Sequence, residues 1–325
     1  MQVFLKKVFR RPCITGIFIH NAIQCNFDCM YCYAKDRRLK KKSISVEGWM
    51  RLIREARDLG AKYVWIGGPG EPLLDPSTFE LIDYSHRLGL ISAIATNGSL
   101  ITPSSAAFLW KRRTRFFLKL HSLDPQVYQV LCGRKSSVAW EYYEYYHKGK
   151  RKVTLIPSWL KVLLEDETLR NDPYQSSRII LEAVITKLNI HCIPAIAAFA
   201  LENKMRFFFE TLMGYPSLRP SREEHLALFG QLKKQFGRKF LAQQRNNTCR
   251  VVENPVIWED GSMHLCLMKS TPVGGGNIED TSLKELWVKR CALKKLLDVK
   301  RRRFPFTPPN CLGRESFFDT TKDFV

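Results

Sequence analysis

No apolar run in these 325 residues approaches the roughly 20 residues that a membrane-crossing helix requires. A secretory signal is missing too, because Met1-Gln2-Val3-Phe4-Leu5-Lys6-Lys7 is too short and too charged to serve as one. Acidic residues are scarce: 31 Asp and Glu stand against 52 Lys and Arg, a formal charge of +21. That imbalance favours an anionic partner, such as a nucleotide, a phosphorylated metabolite, an anionic lipid or a nucleic acid. No nucleic-acid-binding fold or aromatic stacking module is recognisable, however, and the basic runs at Lys6–Arg11, Arg37–Lys42, His147–Lys152 and Lys300–Arg303 are scattered. No internal repeat is visible beyond a strand–helix unit.

What remains describes an ordered globular protein. Apolar residues make up 45% and aromatics 12% of the chain, which is long enough for one large domain or a large and a small one. Ten cysteines, several of them at metal-ligand spacing, argue for a reducing cytoplasm rather than a disulfide framework.

The chain is organised around Cys25-Asn26-Phe27-Asp28-Cys29-Met30-Tyr31-Cys32. The stretch directly follows Ile14-Thr15-Gly16-Ile17-Phe18-Ile19-His20, an apolar run that reads as a buried strand. A loop leaving a strand end can curl its thiolates around one point, and thiolates so spaced hold zinc or an iron–sulfur cluster. A closed zinc site wants a fourth ligand, and the nearest, His20, lies upstream on the strand itself. Three thiolates on a cubane leave one iron open, which suits chemistry better than structure.

The cysteine spacing, with Tyr31 before the third cysteine, resembles the radical S-adenosylmethionine (radical SAM) superfamily. The resemblance implies a 4Fe–4S cluster on Cys25, Cys29 and Cys32, with S-adenosylmethionine chelated at the open iron and Tyr31 bordering the adenine. One electron would cleave the sulfonium to a 5′-deoxyadenosyl radical that takes hydrogen from a substrate. The cofactor carries that chemistry, while protein supplies orientation and exclusion of water.

Along the chain, Ser45 caps a helix that runs through Trp49, Leu52, Ile53 and Ala56 to Gly60. Strand Lys62–Ile66 leads to Gly67-Gly68-Pro69-Gly70-Glu71-Pro72; a helix over Phe79–Leu88 precedes strand Ile91–Ala95 and Thr96-Asn97-Gly98. Thr102 caps a helix with Pro103 at its first position, and strand Phe116–Leu120 ends at His121-Ser122-Leu123-Asp124. Residues 136–172, tyrosine-rich and basic, read as helical with some insertion. A strand over Ile179–Ile185, a helix through Ile193–Leu201 and a strand over Met205–Phe209 follow. Alternation of this kind means right-handed βαβ units and a parallel sheet, with sites at the carboxyl ends of the strands. About six units fit the partial (β/α)6 barrel of the radical SAM family. The same resemblance makes Gly68, Gly70 and Glu71 the glycine-rich cofactor loop, although Pro69 is an extra residue in it. It also places Thr96 and Asn97 near the methionine part of the cofactor, and Ser122 and Asp124 near its ribose and carboxylate.

From about residue 240 the character changes. Ser221-Arg222-Glu223-Glu224 is a capping box, and Val256–Leu265 reads as a hairpin around Asp260-Gly261. Cys249, eleven residues, Gly261, four residues and Cys266 resemble the opening of the SPASM/Twitch extension of radical SAM enzymes. A second capping box at Ser282-Leu283-Lys284-Glu285 and a late Cys311 fit the same pattern, while the next SPASM cysteine is replaced by Arg314. The resemblance implies one auxiliary cluster on Cys249, Cys266 and Cys311, its fourth ligand being Cys291, His264, water or substrate. Cys13, Cys132 and Cys192 read as buried thiols.

The expected protein is an α/β, partial-barrel radical SAM enzyme over residues 1–215, with a helical bridge at 216–245 and a small Twitch/SPASM-like domain at 246–325. Its substrate is expected to be a small anion, such as a nucleotide, sugar or antibiotic precursor, with electrons from a flavodoxin- or ferredoxin-type reductant. The first strand begins at residue 14, leaving no room for an N-terminal leader-binding domain; a peptide- or protein-modifying maturase is therefore the alternative. A non-catalytic iron–sulfur protein bound to nucleic acid accounts for the charge but not for the glycine loop. The catalytic residues themselves stay unassigned.

Overall fold

The computed structural model describes residues 14–35, 44–133, 138–172, 178–212, 215–245, 254–264 and 272–292. It has an α/β fold built on a mostly parallel sheet, the class expected of a partial (β/α)6 barrel. Two compact units share these residues.

The first unit takes in the described residues of 1–24, 34–94 and 250–309. Its core is β1 (Gly16–His20), β2 (Tyr63–Gly67) and β3 (Ile91–Thr96), paired in parallel with β2 in the middle. Ser45 caps α1 (Val46–Asp58) by accepting the Gly48 N–H, and Trp49, Leu52, Ile53 and Ala56 form its buried stripe. That stripe is the periodicity read from sequence, carried onto one helix face. Helix α2 (Ser77–Arg87) follows a single 3₁₀ turn at Pro72–Leu74. On the other edge of β1, β9 (Val256–Ile257) pairs in parallel, and the expected hairpin appears as β9 and β10 (Ser262–His264), antiparallel. Gly261 turns that hairpin at φ 81°, where a Cβ would come within 2.1 Å of the Asn277 side chain. Strand β11 (Pro272–Asn277) closes the edge.

The second unit takes in the described residues of 25–33 and 95–249. Thr102 and Ser105 form a capping box at α3 (Pro103–Lys111), with proline at its first position as expected. Strand β4 (Arg115–Lys119) leads to α4 (Pro125–Cys132), which Asp124 caps through the Gln126 and Val127 amides. Parallel β7 (Ile179–Ile185) and β8 (Arg206–Thr211) flank α6 (Ile193–Glu202), in the order β4-β7-β8. Helix α7 (Arg222–Arg245) opens on the Ser221/Glu224 box, the serine N–H donating to the carboxylate at 2.6 Å, and kinks at Gly237.

One expectation fails. The tyrosine-rich segment is not helical at its start but an antiparallel hairpin, β5 (Trp140–His147) and β6 (Lys150–Pro157), before α5 (Ser158–Glu165). The physical reason is its two-residue turn. Lys148 and Gly149 both take positive φ, 49° and 73°, as a two-residue turn matching strand twist demands. Tyr143 and Tyr145 then share a face and pack edge-on against Phe199 of α6, which the helical period could not arrange.

Candidate functional site

The cysteine loop belongs to the second unit and is tied to the far end of α4. Asp28 N–H donates to the Cys132 carbonyl (3.1 Å), and Met30 N–H donates to that of Leu131 (3.0 Å). Gly133 ends α4 at φ 87° and ψ 161°, and a Cβ there would meet the Asp28 carbonyl oxygen at 2.5 Å. The helix end thus fixes the backbone from which Cys25 and Cys29 project. Phe27 lies edge-on to Tyr128 of the same helix, and the Tyr215 hydroxyl donates to the Cys32 carbonyl (2.7 Å).

Cys25, Cys29 and Cys32 are half-buried and form no disulfide, and the Cys25 sulfur accepts the Phe27 amide at 3.4 Å. An amide aimed at a sulfur favours its thiolate form, the form that ligates metal. Among the described residues no three His, Cys, Asp or Glu side chains converge on a single metal-ion position. A cubane asks for less, since each thiolate takes a different iron. Three thiols on one pinned loop fit such a group. The buried Cys132 thiol meets that of Cys29; burial, then Cys29, push its pKa up.

The other predicted residues fall into local hydrogen-bond sets. Asn97 donates to Asn26 of the cysteine loop (2.9 Å) and accepts from Ser99, while Asn26 donates to the Ser99 hydroxyl (2.8 Å). Thr96 accepts the Gly98 amide. The turn after β3 is therefore joined to the cysteine loop by side chains. Ser122 accepts the Asp124 amide and donates to the Cys192 sulfur (3.3 Å), and Asp124 caps α4, so both have structural duties.

In the first unit, Gly70 N–H donates to the Ala22 carbonyl (3.1 Å) and Glu71 N–H to that of Gln24 (2.6 Å). A Cβ on Gly68 would sit 2.5 Å from Ala22 O, and one on Gly70 2.2 Å from Gln24 O. These glycines let the loop after β2 lie directly against the backbone after β1. Glu71 is buried and accepts the Leu73 amide, capping the 3₁₀ turn.

Sequence reading missed the polar groups around the cysteine loop. The Tyr31 hydroxyl hydrogen-bonds His121 Nε2, and His121 Nδ1 accepts the Val184 amide (3.2 Å). An Nδ1 that accepts leaves the proton on Nε2, the neutral tautomer. Burial, reinforced by the Lys119 charge, pulls the His121 pKa down to about 3. Burial, followed by the Cys29 charge, holds the Tyr31 phenol well above its usual range. Beside them Lys119 reaches Glu182 at 2.5 Å and Glu210 at 3.7 Å.

Residues 23–157 match the model of the Radical SAM superfamily. That span holds the three cysteines, the glycine loop and the turns after β3 and β4. This stretch of the chain is similar to a radical SAM domain. A probable GTP 3′,8-cyclase of Thermococcus kodakarensis is 30% identical to this chain over 126 residues, 38% of this chain and 40% of that protein. A PqqA peptide cyclase of Streptomyces rochei is 28% identical over 126 residues, 38% of this chain and 34% of that one. The chain thus spans about two-fifths of the length of the curated relatives it matches. Streptococcus suis SuiB bound to S-adenosylmethionine shares the fold, with a TM-score of 0.61 at 17% identity over 88% of this chain and 69% of that one. So does anSMEcpe with bound AdoMet, with a TM-score of 0.59 at 15% identity, over 85% of this chain and 82% of that one.

Cys249, Cys266 and Cys311, the expected auxiliary ligands, lie outside the described residues, as does Cys13. Of the named fourth-ligand candidates, Cys291 is half-buried, and His264 stacks on Trp258 at 3.7 Å with its Nε2 on the Ser262 hydroxyl. His264 has a packing role. Cys192 is half-buried rather than covered, and Cys132 is covered as expected. No helix among the described residues is long and apolar enough to cross a membrane.

Proposed function

We propose that this chain is a radical SAM enzyme in which Cys25, Cys29 and Cys32 hold a 4Fe–4S cluster. The observation that carries the reading is the pinned three-thiol loop inside a stretch similar to a radical SAM domain. Held by these three thiolates, the cluster would supply the electron for reductive cleavage of bound S-adenosylmethionine, the source of hydrogen-abstracting chemistry. The protein's part is placement. The end of α4 and Tyr215 hold the loop backbone, and Asn26, Asn97 and Ser99 join it to the turn after β3. We assign Tyr31, Gly68, Gly70, Glu71, Thr96, Asn97, Ser122 and Asp124 to the binding of S-adenosylmethionine. Ser122 and Asp124 then act by shaping their turn, since both already serve the start of α4.

The domain division proposed is a barrel over 1–215, a bridge over 216–245 and an auxiliary domain over 246–325. Cys249, Cys266 and Cys311 are taken as ligands of one auxiliary cluster. A flavodoxin- or ferredoxin-type protein is taken as electron source. Two substrate classes are supported by different observations. The charge of +21 and the relatives named GTP 3′,8-cyclase favour a small anion. The PqqA peptide cyclase relative and the SuiB structure bound to precursor peptide SuiA favour a peptide.

The test replaces Cys25, Cys29 and Cys32 together with alanine, reconstitutes iron and sulfide anaerobically and follows 5′-deoxyadenosine under a strong reductant. The expected result is loss of product with retention of the iron held by the auxiliary ligands. Undiminished product overturns the cluster assignment, and an iron-free triple variant overturns the auxiliary one.

A further inference from the structure

The register of β4, β7 and β8 gathers three ionisable side chains that no other feature of the site accounts for. Lys119 lies directly opposite Glu182, and Glu182 opposite Phe208. Glu210, two positions beyond Phe208, therefore shares their face, since strand side chains alternate. That face is the one opposite Phe116 and Leu118, which are fully buried. Glu182 is almost covered, at 6% exposure, whereas Lys119 and Glu210 keep 31% and 27% of their side-chain surface. Lys119 and Glu182 alone would close a buried pair. Glu210 is a second carboxyl at the open edge of it, more than a structural pair requires.

Two positions past Lys119 stands His121, bonded to Tyr31 of the cysteine loop. Tyr33, next to Cys32, lies within electrostatic range of Lys119. The charged group thus lies next to the loop that bears the thiols. We propose that Lys119, Glu182 and Glu210 form a substrate subsite for a protonated amine, with Glu210 as the carboxyl that receives the ammonium. The word substrate rests on the radical SAM reading; the ammonium site itself does not.

The charges facing Glu210 are Glu182 from β7 and Lys119 from β4, with Tyr33 beyond Lys119 and His121 neutral at the strand end. Burial, then the Glu182 charge, raise the Glu210 carboxyl to about 8, with Lys119 opposing. At neutral pH the group is thus balanced: one ammonium, one carboxylate and one neutral carboxyl. An incoming ammonium displaces the Glu210 proton and extends an alternating row of charges. A phosphate would face two carboxyls, and its only cation is already held by Glu182. The interior at this point therefore selects against the anion that the surface charge suggests, and suits an amine-bearing substrate such as a lysine-containing peptide.

The test needs neither cluster nor turnover. Full-length protein is titrated calorimetrically at pH 7, in two buffers of different ionisation enthalpy, with Nα-acetyllysine methylamide, the uncharged norleucine analogue and inorganic phosphate. The lysine probe is expected to bind at least tenfold more tightly than the norleucine probe. It should release close to one proton, falling towards none by about pH 9.5, and phosphate should not compete. Glu210→Gln should abolish the proton release and weaken the lysine probe about tenfold. Glu202→Gln, on α6 beside the hairpin, should change neither. Where Glu210→Gln fails to give a cooperative melt, the proton release of the unaltered protein decides alone. Equal binding of the two amide probes, heat independent of buffer, or competition by phosphate overturns the proposal. So does competition by S-adenosylmethionine, which would make the carboxyl part of the cofactor pocket.

Discussion

Replacing Gly133 with alanine tests whether the end of α4 holds the cysteine loop. The residue sits at φ 87° and ψ 161°, a region that residues with a Cβ enter at a cost of about 1–3 kcal/mol. The new Cβ would meet the Asp28 carbonyl oxygen at 2.5 Å and its carbon at 2.9 Å, both backbone atoms that cannot rotate away. Relief requires the loop to move off the helix end, lengthening the Asp28–Cys132 and Met30–Leu131 hydrogen bonds. Each contributes about 0.5–1.5 kcal/mol. The sum is about 2–6 kcal/mol, or a fall of roughly 4–24 °C in melting temperature at ~2–4 °C per kcal/mol. The control is Gly149→Ala in the hairpin turn, where φ is 73° but nothing lies within 4 Å of a Cβ. That variant carries the strain alone. Melts of iron-free protein, and iron and sulfide counts after reconstitution, should separate the two: Gly133→Ala loses stability and cluster content, Gly149→Ala only a little stability. Identical behaviour of the pair would refute the anchoring argument.

Tyr215→Phe removes the hydroxyl that donates to the Cys32 carbonyl, and should lower stability by about 0.5–1.5 kcal/mol in urea titrations. Because the Glu210 pKa is raised to about 8, the folded chain keeps a proton that the unfolded chain gives up near the ordinary carboxylate value. Stability from this group is present at low pH and lost as pH rises through 8, so urea midpoints should fall between pH 6.5 and 8.5, and Glu210→Gln should flatten that slope. His121 has the opposite sign: its pKa is pulled down to about 3, so its contribution is present above the ordinary histidine value and lost as pH falls towards 3. His121→Gln should shrink the acid-side slope of the same urea series while leaving the alkaline side unchanged.

The strand–helix order was readable because each element carried its own local signal. Ser45 and Thr102 marked helix starts that the side-chain hydrogen bonds reproduce, and the buried stripe of α1 follows its apolar spacing. The cysteine spacing was legible for the same reason, since its ligand pattern is contained in eight consecutive residues. The hairpin of β5 and β6 was misread because tyrosine fits several environments, and the deciding signal, Lys148-Gly149, is a short one. Its period-two alternation, Tyr143 and Tyr145 inward against Phe199, becomes evident only once the partner helix is in place.

The charged subsite was hidden for a deeper reason. Lys119, Glu182 and Glu210 each stand in an apolar strand, Arg-Phe-Phe-Leu-Lys, Ile-Ile-Leu-Glu-Ala-Val-Ile and Arg-Phe-Phe-Phe-Glu-Thr, where one charge reads as a strand end or an outward face. Only the pairing register sets Lys119 opposite Glu182 and brings Glu210 to the same face. A single lysine so placed would have to shed its charge or find a partner, because burying an unpaired ion is prohibitively costly. Two carboxyls for one lysine over-satisfy that need. The surplus leaves Glu210, at the open edge, with a proton to exchange for a cation, and net charge counted over the whole chain gives no hint of it.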